Sequence, residues 1–257
     1  MGLGKTVQTL AWLQLERLAD GARRKPALIV CPTSIVENWV EETVRFVPGL
    51  KVMSLTGPDR HSRFDRVPEV DLVVTSYAVL RRDVEMYAKQ EFSAAILDEA
   101  QHIKNPSTQN AAAAGRINAH HRLVLTGTPV ENTVSDLWSI MDFLMPGYLG
   151  SHAAFRERYE LPISRGGPDG EAAQVKLRRK VHPFMLRRLK VDVARDLPPK
   201  IERVASCELT ADQKAVYAEL LRSSRQKIEG LMSKQGLNKS RMEILTVLMR
   251  LRQVCCH

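Results

Sequence analysis

Short apolar runs recur through the first half of the chain, spaced so that a helix can fit between them. Residues 27–31 (ALIVC), 70–76 (VDLVVTS), 94–98 (AAILD) and 122–126 (RLVLT) are each nearly continuous in apolar residues and bounded by turn-forming or charged ones. Strands of that kind are buried on both faces, as in parallel sheets covered by helices. Residues 51–55 predict a weaker strand, followed by a charged, loop-like stretch to Pro68. Between the strands the period changes: Val36, Trp39, Val40 and Val44 mark a helix to about residue 46, before Pro48-Gly49, with Ser34 and Glu37 spaced as a capping box. Residues 110–117 predict an alanine-rich helix. The alternation predicts an α/β fold, a parallel sheet with helices on both faces.

From Ser151 the pattern differs. Residues 163–170 (ISRGGPDG) read as a flexible Gly/Pro loop, and residues 176–190 carry Lys176, Arg178, Arg179, Lys180, Arg187, Arg188 and Lys190 with no acid. Leu197-Pro198-Pro199-Lys200 interrupts the chain, and residues 201–209 then alternate as a strand. Residues 211–229 and 241–255 have the spacing of two amphipathic helices joined by a Gly/Ser/Lys loop.

The chemistry concentrates in residues 94–105 (AAILDEAQHIKN), where a buried strand ends in Asp98 and Glu99. Open α/β sheets bind ligands at the carboxyl ends of their strands. One carboxylate there can hold Mg²⁺ through its waters, and its neighbour can orient a water for attack on a γ-phosphate. Strands ending in two acids are common, so the reading gains its force from residues 1–6 (MGLGKT). Gly4-Lys5-Thr6 is followed by Val7, Leu10, Ala11, Leu15 and Leu18 at helical spacing, as a phosphate loop opening a helix requires. In such a loop backbone N–H groups cradle the phosphates, the lysine reaches the β/γ oxygens and the threonine hydroxyl meets Mg²⁺. The strand and earlier small residue that complete a phosphate loop are expected before Met1. Met1-Gly2 with Thr6 also satisfies the pattern for N-myristoylation, but the helical spacing after Thr6 favours the phosphate loop.

Composition narrows the partners. The 257 residues, 44% apolar, suffice for a sizeable core, and 38 Lys and Arg against 29 Asp and Glu give a net charge of +9 that favours a polyanion such as nucleic acid. Cys31, Cys207, Cys255 and Cys256 show no disulfide-framework spacing, and the sequence has no secretory signal or long apolar span. A reduced, intracellular setting without a membrane is the expectation. Cys255-Cys256-His257 does not predict structural zinc, because three adjacent residues cannot all turn toward one ion.

The segments MGLGKTVQTL, LIVCPTSIVENW, VVTSYAVLRRD, ILDEAQHIKNP, RLVLTGTPVEN with DLWSIMDFLMPGYLG, and PFMLRRLKVDV with DLPPK resemble, in order and over nearly the whole chain, the motifs of the Swi/Snf family of helicase-like ATPases. The glutamine of DEAQ and the ending LRQVCCH resemble the bacterial and archaeal branch. The resemblance implies a RecA-like P-loop lobe over residues 1–145 and a helical protrusion over 146–200 that returns to it. Residues 201–257 would be the last strand of that lobe and the helical start of a second. It implies a motor that uses ATP and Mg²⁺ to track along double-stranded DNA and act on DNA-bound proteins or a polymerase.

Carried over by residue, the resemblance makes Lys5, Asp98, Glu99 and Gln101 catalytic. Gly2, Leu3, Gly4, Lys5 and Thr6 would hold ATP, with Mg²⁺ on Thr6 and Asp98. Gln101 and Thr126-Gly127-Thr128 would couple the nucleotide site to movement between lobes. Pro32, Thr33, Ser34, Thr75, Ser76 and Tyr77, just past strand ends, would touch the DNA backbone, where such groups position without reading sequence; capping and turn chemistry is the alternative for them. Arg187 and Arg188 would face DNA, or pair with acids of the second lobe.

The adenine-contacting segment and the second lobe's arginine fingers are expected outside residues 1–257. Because an arginine finger contributes several powers of ten in related enzymes, this chain alone is expected to turn over little or no ATP. Uncovered apolar faces in residues 211–257 predict partial disorder or self-association. A different helicase-like motor, such as a restriction-system translocase, stays open, as does a non-catalytic DNA-binding or partner-binding scaffold. Intact Lys5, Asp98 and Glu99 argue against the scaffold. The motor would work in the cytoplasm on the nucleoid of a bacterium or archaeon, or in a eukaryotic nucleus.

Overall fold

The computed structural model describes residues 4–19, 25–127, 134–188 and 201–256, without the side chains of 226, 227 and 229–241. The chain divides into two compact units, Met1–Arg195 and Asp196–His257. The first is built on five strands, β1 (Ala27–Cys31), β2 (Val52–Ser54), β3 (Leu72–Ser76), β4 (Glu91–Asp98) and β5 (Asn118–Leu125). All neighbours are parallel, in the order β2-β3-β1-β4-β5. The chain runs from β1 to one side of the sheet and crosses to the other between β3 and β4. The strand order therefore reverses around β1, which places the ligand crevice outside the carboxyl ends of β1 and β4.

Strand residues alternate between two cores. Leu28, Val30, Val73, Ala95 and Leu97 face one core with Phe64, Tyr77, Leu80, Tyr87, Ile103, Ala113, Ala114 and Phe143. These come from a 3-10 stretch (Pro58–Glu69) and from helices α3 (Tyr77–Arg82), α4 (Val84–Ala88), α5 (Gln109–Gly115) and α6 (Val134–Leu144), with a 3-10 turn at Ala100–Ile103. Ile29, Cys31, Leu72, Val74, Ala94 and Ile96 face the other core, against Leu10 and Leu13 of α1 (Lys5–Ala19) and Val36 and Trp39 of α2 (Val36–Phe46). The predicted doubly covered parallel sheet is present.

Several local expectations are corrected. Ser34 caps no helix: a 3-10 turn, Thr33–Ile35, precedes α2, the N-cap residue is Ile35, and the turn closes through the Ile35 amide on the Pro32 carbonyl at 3.1 Å. β5 begins four residues earlier than expected, because three of its first four residues, Asn118, His120 and His121, are polar and exposed on an edge strand.

Residues 163–170 are mostly helical rather than a loop. α7 (His152–Phe155) leads through a π turn (Arg156–Glu160) to α8 (Leu161–Arg165), and α9 (Gly167–Val181) follows. Gly166 and Gly167, both at φ 72°, make the reversal. A Cβ on Gly170 would sit 2.7 Å from the Pro162 carbonyl, so a glycine there lets α9 lie directly against α8. Leu137, Met141, Leu149, Phe155, Tyr159, Leu177 and Val181 form the third core, joining this region to α6.

In the second unit, residues 201–209 form no ladder; Ile201 and Val204 are exposed, and an alternating pattern becomes a strand only against a partner edge. The segment α10 (Ala211–Cys256) is helical on both sides of the reversal that its end-to-end contact requires. Its N-terminus carries an unforeseen capping box: the Thr210 amide donates to Gln213 Oε1 at 3.0 Å and the Gln213 amide to Thr210 Oγ1 at 3.3 Å. Gln213 Nε2 also donates to the Val254 carbonyl at 3.3 Å. Those residues would be about 60 Å apart along a straight helix, so the segment doubles back on itself. Val216, Leu221, Met242, Leu245, Leu248 and Met249 stay exposed, the uncovered apolar face that the spacing predicts. No described helix is long and apolar enough to cross a membrane. The predicted break at residues 197–200 lies outside the described residues.

Candidate active site

The site forms where α1 begins and β4 ends. Gly4 adopts φ 72°, a conformation that side-chain-bearing residues rarely take, and turns the chain into α1; its carbonyl accepts the Gln8 amide at 3.0 Å. The first turn of α1 contains Lys5 and Thr6 and no acid. Its open N–H groups and helix dipole therefore favour an anion. Gly2, Leu3 and Thr128 lie outside the described residues.

Alternation along β4 puts Asp98 on the same face as Ala94 and Ile96, toward α1 and α2. Asp98 is 8% exposed. One oxygen, Oδ2, accepts the indole N–H of Trp39 at 3.0 Å, and Oδ1 accepts the Glu99 amide at 2.9 Å. Burial raises the Asp98 pKa above the ordinary carboxylate value, while the Trp39 and Glu99 hydrogen bonds and the charge of Lys5 oppose the rise. The backbone is held as well: the Tyr77 hydroxyl donates to the Asp98 carbonyl at 2.8 Å, and His102 stacks on the Tyr77 ring at 4.7 Å.

Glu99 stands at φ 49°, ψ 55°, the one described non-glycine residue with positive φ. A left-handed conformation costs such a residue roughly 1 kcal/mol, and strain of this kind gathers at functional sites. Here it turns Glu99 toward α1, with Oε1 4.0 Å from Lys5 Nζ. Oε2 accepts Gln101 Nε2 at 3.0 Å, and Gln101 Oε1 accepts the Thr126 hydroxyl at 3.3 Å. A continuous polar chain thus runs from Lys5 through Glu99 and Gln101 to the end of β5. The 3-10 turn carrying Gln101 is itself anchored, since Ser139 of α6 donates to the Ile103 carbonyl at 2.6 Å.

The donor set fits Mg²⁺. Asp98 offers hard carboxylate oxygens, each accepting one neutral donor and keeping lone pairs for a hydrated cation, and the described residues hold no cluster of three or more His, Cys, Asp or Glu suited to a metal. Mg²⁺ bound to nucleotide needs only one or two protein oxygens.

The profile of the SNF2-related domain matches residues 1–257. The chain belongs to the SNF2-related family. It is 38% identical to the TATA-binding protein-associated factor MOT1 of Saccharomyces cerevisiae and 36% identical to the helicase domino of Drosophila melanogaster, covering all of this chain in both cases. It spans only 15% and 8% of those proteins. The solved Sulfolobus solfataricus SWI2/SNF2 ATPase core in complex with dsDNA is 38% identical, with a TM-score of 0.69 over 99% of this chain and 52% of that one.

Within this SNF2-related domain the residues expected at DNA fall into two groups. Thr33 and Ser34 are exposed on the 3-10 turn after β1, with Pro32 half-buried, and Arg187 and Arg188 are exposed beyond α9. Thr75 and Ser76 are not past the strand but are the last residues of β3, and with Tyr77 they are buried. Their hydroxyls are engaged internally: Thr75 donates to the Leu55 carbonyl at 2.9 Å and accepts from Tyr87 at 2.8 Å, and Ser76 accepts the Val79 amide as the cap of α3. Gly127 is exposed at the end of β5. Lys180 lies 5.6 Å over the Tyr148 ring, and Arg178, Arg179 and Lys180 occupy the last turn of α9, where cations suit the helix dipole. Sequence reading missed Trp39, Tyr77 and Ser139 as supports of the site. Trp39 signalled only a helix face, because its partner lies 59 positions away.

Proposed function

We propose that this chain is the nucleotide-binding half of an ATP-driven motor that tracks along double-stranded DNA. The observation that carries the reading is Glu99, strained at the end of β4, facing Lys5 at the start of α1 and tied through Gln101 to Thr126. Lys5 and the first amides of α1 bind the ATP phosphates, with Gly2, Leu3 and Gly4 as the preceding loop. Thr6 and Asp98 hold Mg²⁺, which when bound neutralises charge on the β- and γ-phosphates. Glu99 accepts a proton from the attacking water or orients it. Binding of phosphates draws Lys5 away from Glu99 and frees the carboxylate for that role. Gln101, Thr126, Gly127 and Thr128 pass the change to a second lobe of the parent chain, as expected of a chain that spans 52% of the archaeal core.

The exposed Thr33 and Ser34, with Arg187 and Arg188, contact DNA phosphates; Thr75, Ser76 and Tyr77 support that face from inside. The +9 charge suits the partner, and the archaeal core was solved with dsDNA. Residues 201–256 begin the second lobe, which covers their exposed apolar face. The motor acts on DNA-bound proteins or a polymerase, the first in keeping with a yeast relative named as a TATA-binding protein-associated factor, and works on the nucleoid or in the nucleus according to its host. Intact Lys5, Asp98 and Glu99 favour this over a scaffold.

The test is joint binding. Residues 1–257 are expected to bind a fluorescent ATP analogue with Mg²⁺ and to bind duplex DNA of any sequence with a steep salt dependence. Lys5→Ala removes the first and spares the second; reversing Arg187 and Arg188 lowers the salt slope. Nucleotide binding that survives Lys5→Ala, or no duplex binding, overturns the reading.

A further inference from the structure

Among the described residues, one side chain donates a hydrogen bond to the Asp98 carboxylate, and it belongs to the helix that follows the turn Thr33–Ile35. Trp39 is 1% exposed, fixed among Leu10, Val36, Ile29 and Ile96 in the core beneath α1 and α2. Its indole N–H donates to Asp98 Oδ2 at 3.0 Å. The Thr43 hydroxyl donates to the Trp39 carbonyl at 2.7 Å and is fully buried, so the middle of α2 is held as a rigid piece around the ring. From Thr33 to Trp39 is less than two helical turns, or about 10 Å of axis. A displacement of the turn would be passed to α2 as a unit, and the indole would move with it. The other Asp98 oxygen is bonded to the amide of the strained Glu99, so a pull on Oδ2 pivots the carboxylate about Oδ1.

We propose that Trp39 is a positioning residue that transmits DNA engagement at Thr33–Ser34 to the orientation of the Asp98 carboxylate. This rests on the DNA-motor reading. Outer hydrogen bonds to a metal-holding carboxylate change metal affinity by one to two powers of ten when removed.

The experiment follows the indole N–H resonances of the ¹⁵N-labelled chain. Trp12, Trp39 and Trp138 give three signals; Trp12→Phe and Trp138→Phe assign them by elimination, leaving the site intact. Duplex DNA is expected to shift the Trp39 signal and not the Trp138 signal, and Thr33→Ala with Ser34→Ala to reduce that shift. Mg²⁺ added with a non-hydrolysable ATP analogue shifts Trp39 as well. In Trp39→Phe, which keeps a ring but no N–H, half-saturation by Mg²⁺ moves about tenfold higher, while analogue binding without Mg²⁺ and duplex affinity stay within twofold. A Trp39 signal indifferent to DNA that is bound, as read by anisotropy in the same sample, overturns the inference and leaves the motor reading standing. Absence of DNA binding overturns both. A Trp39→Phe chain with lowered thermal stability and unchanged Mg²⁺ half-saturation reduces Trp39 to core packing and also overturns the inference.

Discussion

The Thr126 hydroxyl donates to Gln101 Oε1 at 3.3 Å, joining the end of β5 to the turn that follows the two acids of β4. Gln101 spends its other end on Glu99. An amide suits this place because it donates to a carboxylate with one end and accepts from a hydroxyl with the other. Removing it with Gln101→Ala leaves the Lys5 and Asp98 contacts in place. In the parent motor, nucleotide affinity is expected to stay within twofold, and the factor by which duplex DNA raises ATP turnover to fall at least fivefold, about one hydrogen bond's worth. Steady-state turnover with and without DNA checks this.

Glu99 offers a separation of stability from activity. Its left-handed backbone favours glycine, and the Lys5 contact at 4.0 Å is a loose, partly exposed ion pair of small net value. Glu99→Gly should therefore leave thermal stability unchanged or raise it by up to about 1 kcal/mol, while abolishing turnover in the parent motor. A melting curve set beside an ATPase assay reads both. A structural role for the carboxylate would instead lower the melting temperature.

Asp83 anchors the long 3-10 stretch to α4. Arg60 donates to both its oxygens and His61 lies 3.0 Å from Oδ1, with the Asp83 side chain 6% exposed. The Arg60 hydrogen bond, followed by that of His61, holds its pKa below the usual aspartate value despite burial. A depressed carboxylate stabilises the fold fully above its unfolded pKa of about 3.9, and that contribution is lost as pH falls through the lower, folded value. Asp83→Asn should cost roughly 3 kcal/mol near neutrality and remove part of the stability loss seen below pH about 4. Urea titrations from pH 7 downward measure it.

Cysteine chemistry divides the chain. Cys31 is buried, donates to the Thr75 carbonyl at 3.6 Å, and has its pKa pushed up to about 12, first by burial and then by Asp98. Cys207, Cys255 and Cys256 are exposed. Iodoacetamide at pH 8 should modify those three quickly and Cys31 only after denaturation, as peptide mass analysis would show.

What the sequence made legible follows from how each feature is encoded. β1, β3 and β4 are continuous apolar runs, so both their existence and their parallel, doubly covered environment could be read directly. The meeting of Lys5 with Glu99 could be expected because each lies in a short run of neighbouring residues with a pattern of its own. The start of β5 could not, since an edge strand has one satisfied side and tolerates Asn118, His120 and His121. Gly166 and Gly167 spoke for a loop, yet glycine also serves where a chain reverses between two helices, and Gly170 where helices touch. The indole bond from Trp39 to Asp98 and the hydroxyl bond from Tyr77 to the Asp98 backbone join positions that only the sheet order brings together. Burial of Thr75 and Ser76 likewise depends on Leu55 and Tyr87, which lie on other elements.

The most direct measurement is calorimetric titration of the chain with a non-hydrolysable ATP analogue, with and without Mg²⁺, alongside Lys5→Ala and Asp98→Ala. The account predicts binding that Mg²⁺ strengthens, lost at least tenfold in Lys5→Ala, and no longer strengthened by Mg²⁺ in Asp98→Ala. Equal affinity in all three proteins, or affinity indifferent to Mg²⁺ in the wild type, would contradict a nucleotide site built on Lys5 and Asp98.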